Sequence, residues 1–310
     1  MKERIVRHSP LTERSLIQVV NKVFILLLMF LVSAGLQAQN KPAYRLFNGD
    51  GGEVSYAEML NELEVADFVF FGELHNNAIA HWLQHEVTRD LHALRKQDLI
   101  LGAEMFEADN QMLIEEFFRG FINARRFEED ARIWPNYKTD YSPLLLYAQD
   151  HNLPFIATNI PRRYASFVAS KGLEALDTLP TEAKRFIAPL PIEFDPEVPC
   201  YKNMMSMEGM GAMGGHGGMN IVKAQAIKDA TMAHFINQNY APGNLFIHYN
   251  GSYHSDNHEG IVWYLKKLQP DARIVVLSTV TQDEIDTLST EYLGKADYLL
   301  VVPERMTTTY

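Results

Sequence analysis

Six apolar runs of five or six residues punctuate the chain, each rich in β-branched or aromatic side chains. They are Asp67–Gly72, Leu99–Ala103, Pro154–Thr158, Asn244–Tyr249, Arg273–Ser278 and Asp297–Val302. A strand that is apolar at successive positions is buried on both faces, as in a parallel sheet. Between these runs the apolar spacing turns helical. Ile79, Leu83, Val87, Leu91 and Leu94 make one stripe over Ala78–Leu94, and Val222, Ala226, Ala230 and Ala233 another over Ile221–Ile236. Ser142 is expected to cap a helix with Pro143 at its first position, running to about Asn152. The alternation predicts an α/β fold, a mostly parallel sheet with helices on both faces.

Two regions break the rhythm. Asp109–Asp150 is helix-rich, with Trp134, Tyr137 and Tyr141, and is expected to form a small helical subdomain over the sheet. Thr178–Met219 is less regular, because Pro180, Pro189, Pro191, Pro196 and Pro199 oppose long elements. Its second half, Tyr201–Met219, is a Met- and Gly-rich loop with His216 inside it.

The first residues stand apart from the fold. Lys2, Arg4, Arg7, Arg14 and Lys22 precede an apolar run, Val23–Val32, and small and polar residues follow. This order describes a signal peptide over residues 1–38, cleaved after Ala38, and the run is short for a membrane span. Residues 39–310 are expected to form a single domain, exported to the periplasm or cell envelope. The one cysteine, Cys200, excludes an internal disulfide framework, and its distance from the leader argues against lipidation there. Without the leader the chain carries 23 basic and 37 acidic residues. That balance argues against nucleic acid or an anionic membrane surface as a partner, since both need clustered Lys and Arg.

Ligands in open parallel sheets bind beyond the carboxyl ends of the strands. The first predicted strand leads into Glu73 and His75, the second into Glu104, the third into Asn159 and Arg162, and the fourth into Asn250 and His254. Glu73 and His75 share one side of an extended chain, and Gly72 and Gly251 are expected to let the backbone turn. Two carboxylates and two imidazoles suit a divalent metal site or an acid–base pair. His81 and His85 lie one turn apart, but Trp82 stands where the zinc-protease motif requires glutamate, so a solvated pair is expected. His92 has no evident partner. Gln225 and Asp229 share a helix face; Asp229 either supports the pocket or fixes its helix against an arginine. The Met-Gly loop fits a mobile lid, a soft copper(I) site, or an apolar haem contact with Tyr201 and His216 as axial ligands.

Several of these residues recur in an ordered set. It runs through Phe71-Gly72-Glu73-Leu74-His75, His81, Gln84, Gly102-Ala103-Glu104-Met105-Phe106, Trp134 and Tyr141-Ser142-Pro143. It continues with Thr158-Asn159-Ile160-Pro161-Arg162, Ala224-Gln225, Lys228-Asp229, Met232-Ala233 and Asn250-Gly251-Ser252-Tyr253-His254. From about Asp67 to Leu277 the chain thereby resembles the ChaN family, the haem-binding uptake branch of the Tiki-like superfamily. The resemblance implies an α/β domain with a helical cap, export to the envelope and a role in haem or iron acquisition. It further implies haem or an iron source as ligand, a homodimer enclosing paired haems, and an outer-membrane receptor as partner. Family members are often lipoproteins, and this chain lacks the cysteine that would carry the lipid. Haem in the family is held by tyrosine; Tyr201 is the candidate because it opens the Met-Gly loop, with His216 assisting. The Tiki and erythromycin-esterase relatives imply an alternative, a metal-dependent hydrolase using Glu73, His75, Glu104 and His254. Copper handling by the Met-rich loop is the third reading.

Overall fold

The computed structural model describes residues 41–206 and 216–310, and Ala43–Tyr310 forms one compact unit. Its sheet contains β1 (Arg45–Asn48), β2 (Phe68–Glu73), β3 (Leu99–Glu107), β4 (Phe155–Asn159), β5 (Leu245–Gly251), β6 (Ile274–Gln282) and β7 (Tyr298–Pro303). The order across the sheet is β1-β7-β6-β2-β5-β3-β4. All neighbours run parallel except β1, which pairs antiparallel with β7 at the edge. The six predicted runs are thus β2 to β7, and β1 is an addition. Every residue of β2, β3 and β5 is buried, which accounts for their unbroken apolar stretches.

The helices are α1 (Tyr56–Glu64), α2 (Ala78–Arg95), α3 (Gln111–Phe118), α4 (Ala124–Asp130), α5 (Ser142–His151), α6 (Arg162–Lys171), α7 (Thr181–Lys184), α8 (Pro199–Ser206), α9 (His216–Asn239) and α10 (Ile261–Leu268). Alternate strand residues feed two cores. Val69, Phe71, Leu101, Ile247 and Leu277 pack with α1 to α5 on one face. Phe68, Phe70, Ile100, Phe246 and Val276 pack with α8, α9 and α10 on the other. A smaller cluster joins α6 to α9. The helical subdomain over Asp109–Asp150 is built from α3, α4, a π-helical turn at Tyr137–Tyr141 and α5. Ser142 does not cap α5. It is already helical, because the π turn feeds straight into the helix, and the cap position falls on Tyr141 without a side-chain bond. Among the described residues no helix is long and apolar enough to cross a membrane.

The topology places a crevice. The connection leaving β2 travels to β3 on one side, and that leaving β5 travels to β6 on the other. Between such neighbours the covering segments diverge and leave room for a ligand. β2 and β5 pair in register with Gly72 opposite Asn250 and Glu73 opposite Gly251. The segments Gly72–His75 and Gly251–His254 therefore emerge side by side at this switch point.

Candidate functional site

A cavity of about 760 Å³ lies over these strand ends. Of the residues singled out from sequence it gathers Glu73, His75, Glu104, Asn159, Arg162, Gln225 and His254. Glu107, Trp134, Lys228, Tyr253 and Tyr310 complete much of the wall.

Glu73 approaches from the face covered by α2. Its carboxylate is buried and satisfied: Oε1 accepts from Tyr141 at 2.8 Å and from His75 Nδ1 at 2.9 Å, and Oε2 accepts from Gln84 Nε2 at 2.6 Å. Asn77 caps α2 through Ala80 N–H and so fixes the turn that carries His81 and Gln84. The π turn delivers Tyr141, a use that such turns often serve near functional sites. His75 keeps a side chain 35 % exposed, with Trp134 edge-on at 4.8 Å. Burial works to lower its pKa, but the hydrogen bond it donates to Glu73 and the charges of Glu104 and Glu73 outweigh burial and leave it raised.

Glu104 and His254 approach from the opposite face. His254 sits between two carboxylates, with Nε2 3.2 Å from Glu104 Oε1 and Nδ1 against Asp229. Asp229 also accepts from the Tyr201 hydroxyl at 2.7 Å, and Glu104 Oε2 accepts from Gly251 N–H at 2.8 Å. The Gln225 amide lies 2.9 Å from His254 Nε2. Burial pulls the His254 pKa down, yet the charges of Glu104 and Asp229 drive it up to about 10. Burial likewise pushes Glu104 up, and the His254 charge reverses that and holds it below its ordinary value. At neutral pH this is a buried carboxylate–imidazolium–carboxylate chain. His248, two residues before Asn250 in β5, shows the contrast: burial lowers it to about 4 because no carboxylate touches it, and it pairs with Thr158 and Asn250. The expected NMR titration has His254 protonated until about pH 10, whereas a midpoint near its ordinary 6.5 would refute the buried chain.

Neither loop glycine is needed for backbone freedom. Gly72 is extended within β2, and Gly251 has φ −56°. What both positions require is closeness. A Cβ on Gly72 would lie 2.8 Å from Ser252 Cα, and one on Gly251 would lie 2.8 Å from the His75 ring.

The supporting residues divide. Asn159 donates to the Glu104 carbonyl at 3.0 Å, and Asn250 is fully buried, bridging His248, Gly251 and Ser255. Arg162 pairs with Glu107, which also holds Arg132 and so ties the helical subdomain to β3. His81 is not solvated: it is buried, with Nε2 3.1 Å from the His75 carbonyl, because α2 turns it inward beneath the loop. Tyr201 is placed away from the cavity. It lies fully buried in α8 with its hydroxyl committed to Asp229, so it presents no oxygen to a ligand there. Most of the Met-Gly loop, residues 207–215, lies outside the described residues, as does the His216 side chain. Met204 and Met205 pack against the core rather than gathering around an ion.

Sequence reasoning missed Tyr141, Gln84, Trp134, Lys228 and Glu107 as parts of the site. The signal available for the first two was Glu73 itself, since a buried carboxylate demands donors.

Glu73, His75, Glu104 and His254 line one cavity. Among the described residues no group of three or more His, Cys, Asp or Glu is arranged to hold a metal ion. The donor atoms already have protein partners: His254 lies between Glu104 and Asp229, and the oxygens of Glu73 and Glu104 accept protein hydrogen bonds. The remaining donor is His75 Nε2, which among the described residues has no hydrogen-bond partner while Glu73 fixes the other nitrogen. A carboxylate-oriented imidazole facing an aromatic-walled cavity fits an iron in haem, and Arg162 and Lys228 on the same wall fit its carboxylates.

Residues 59–265 match the family model described as haem-binding uptake, Tiki superfamily, ChaN. No curated protein matches the sequence. Among solved structures, one of cofacial haem binding to ChaN of Campylobacter jejuni is similar at 18 % identity and a TM-score of 0.63, covering 84 % of this chain and 96 % of that one. A Bacillus cereus protein reaches 12 % identity and a TM-score of 0.46 over 79 % and 90 % of the two chains. An erythromycin esterase in its open conformation reaches 9 % and 0.42 over 84 % and 83 %. At these identities the likeness is one of fold.

Proposed function

The chain belongs to the ChaN family of haem-binding uptake proteins, and from that premise we propose that it binds haem in the cavity over β2 and β5, as a step in haem or iron acquisition. The observation that carries the reading is the Glu73–His75 pair, an oriented imidazole whose second nitrogen is uncommitted inside that cavity. When bound, haem supplies an iron centre that seeks a nitrogen or oxygen ligand. His75 would offer the nitrogen with Glu73 holding its tautomer and Trp134 packing the ring from the side, and Arg162 and Lys228 would supply positive charge for the haem carboxylates. The iron ligand is thus assigned to His75 in place of Tyr201. Cofacial binding in the Campylobacter jejuni relative supports a homodimer with haem between its subunits. The basic leader and apolar run of residues 1–38 support export to the periplasm or envelope, where an outer-membrane receptor would be the donor of haem.

The test is a haem titration of the purified chain followed by its Soret band. Saturable binding is expected, with the band shifted and affinity lowered by about 10–100-fold in His75→Ala. No spectral change in the parent chain would refute haem binding. Loss confined to Tyr310→Phe would move the ligand assignment to that tyrosine.

A second reading rests on the protonated His254 beside the His75–Glu73 pair. Such a combination supplies a general acid and a base for hydrolysis without a metal cage. It predicts cleavage of an ester or amide that is abolished in His254→Asn and indifferent to Tyr310→Phe.

A further inference from the structure

Three histidines outside the cavity surround one phenol. Tyr147 on α5 has ring centroids 4.2 Å from His151, 5.5 Å from His85 and 5.7 Å from His92. His92 and His151 are also 4.9 Å apart, centroid to centroid. His92 stands in the last turn of α2 and His151 in the last turn of α5, so two helix ends bring the pair together. His92 lies eleven residues beyond His81, about 16 Å along the helix axis, and the pair is therefore separate from the cavity.

Such a pairing is not explained by core packing. His151 is exposed and His92 half-buried, and hydrophobic neighbours do not require either ring to be an imidazole. One ring is also oriented. His92 Nδ1 lies 2.8 Å from the Tyr147 hydroxyl, and the Gln97 side chain holds the His151 carbonyl at 3.3 Å. With its Nδ1–H donated to the phenol oxygen, His92 Nε2 has no hydrogen-bond partner among the described residues, the arrangement in which metal-bound histidines are held.

We propose that His92 and His151 form a surface site for one late first-row transition-metal ion, with Tyr147 setting the His92 ring. Imidazole pairs suit nickel, copper and zinc, and calcium and magnesium are excluded by their preference for oxygen. Among the described residues no third donor completes a cage. Water fills the remaining positions, and the site is exchangeable rather than structural.

Ni²⁺ titration of the full chain by calorimetry, in a His75→Ala background that removes the cavity's free imidazole, tests the proposal. One equivalent is expected to bind, with affinity lowered at least about tenfold in His92→Gln and in His151→Gln and about tenfold in Tyr147→Phe. His85→Gln is expected to leave it unchanged. All four positions are partly or fully exposed, and far-UV circular dichroism checks that each variant remains folded. The proposal is overturned if the background chain binds no Ni²⁺, or if the folded His92→Gln/His151→Gln double variant keeps its affinity. Haem binding is measured separately on His92→Gln and His151→Gln with His75 intact, so failure here is distinguishable from failure of the cavity reading.

Discussion

Glu104→Ala is expected to lose about 3–5 kcal/mol of folding stability, because it strands a buried charge. The Glu104 carboxylate is 5 % exposed and has two duties: it faces His254 and accepts the Gly251 amide. Its removal leaves the imidazolium to Asp229 alone and a strand-end N–H without a partner, which separately costs about 1–3 kcal/mol. Urea unfolding at pH 7 measures the loss, and the His254 titration measures its cause. The midpoint should fall well below about 10 in the variant. A stability change under about 1 kcal/mol with an unmoved midpoint would sink the account. Glu104→Gln, which keeps an acceptor for Gly251, should fall between the two. The pH dependence has a definite sign. His254 is raised on folding, so its contribution is complete below its ordinary 6.5 and is lost as pH climbs through about 10. Glu104 is lowered, so its contribution holds above its ordinary 4.5 and is lost as pH falls toward its depressed value.

The loop glycines supply the second large effect, and the two should fail differently. A methyl at Gly72 meets backbone, Ser252 Cα at 2.8 Å and the Leu277 carbonyl at 3.3 Å, so β2 must part from its neighbours. Gly72→Ala is expected to cost about 1–3 kcal/mol, as overpacking does. A methyl at Gly251 meets only the His75 ring, which can swing away at the expense of its 2.9 Å bond to Glu73. Gly251→Ala is therefore expected to keep most of its stability and lose haem affinity by about 10–100-fold. Equal stability losses in the two variants, by urea unfolding, would contradict this division.

Much of the fold was readable in the chain because parallel strands covered on both faces carry unbroken apolar runs, and each of β2 to β7 contains one. β1 was not. Arg45–Asn48 has only two apolar residues, and as an edge strand it needs no more. β3 runs past its apolar part to Glu107, a carboxylate no strand pattern predicts, and Arg132 and Arg162 make that possible from distant segments. The convergence of Glu73, His75, Glu104 and His254 was legible from strand ends alone. Their partners were not, since Tyr141 and Gln84 reach Glu73 only through the folding of α2 and the π turn. Tyr201 misled because a Met- and Gly-rich composition suggests an open loop. Its first residues instead form α8, and their packing on α9 turns the tyrosine inward.

The two His–carboxylate arrangements enter the cavity from opposite faces of the sheet and answer to different cores. Glu73 rests among α2 and the π turn, whereas Glu104 and His254 are joined to Asp229 of α9. For a lineage this amounts to two separable inheritances. Substitutions drifting through one core disturb one arrangement and spare the other. Descendants can keep the α9 side as a proton-holding buttress while the α2 side is remodelled toward a new ligand, without refounding the whole fold.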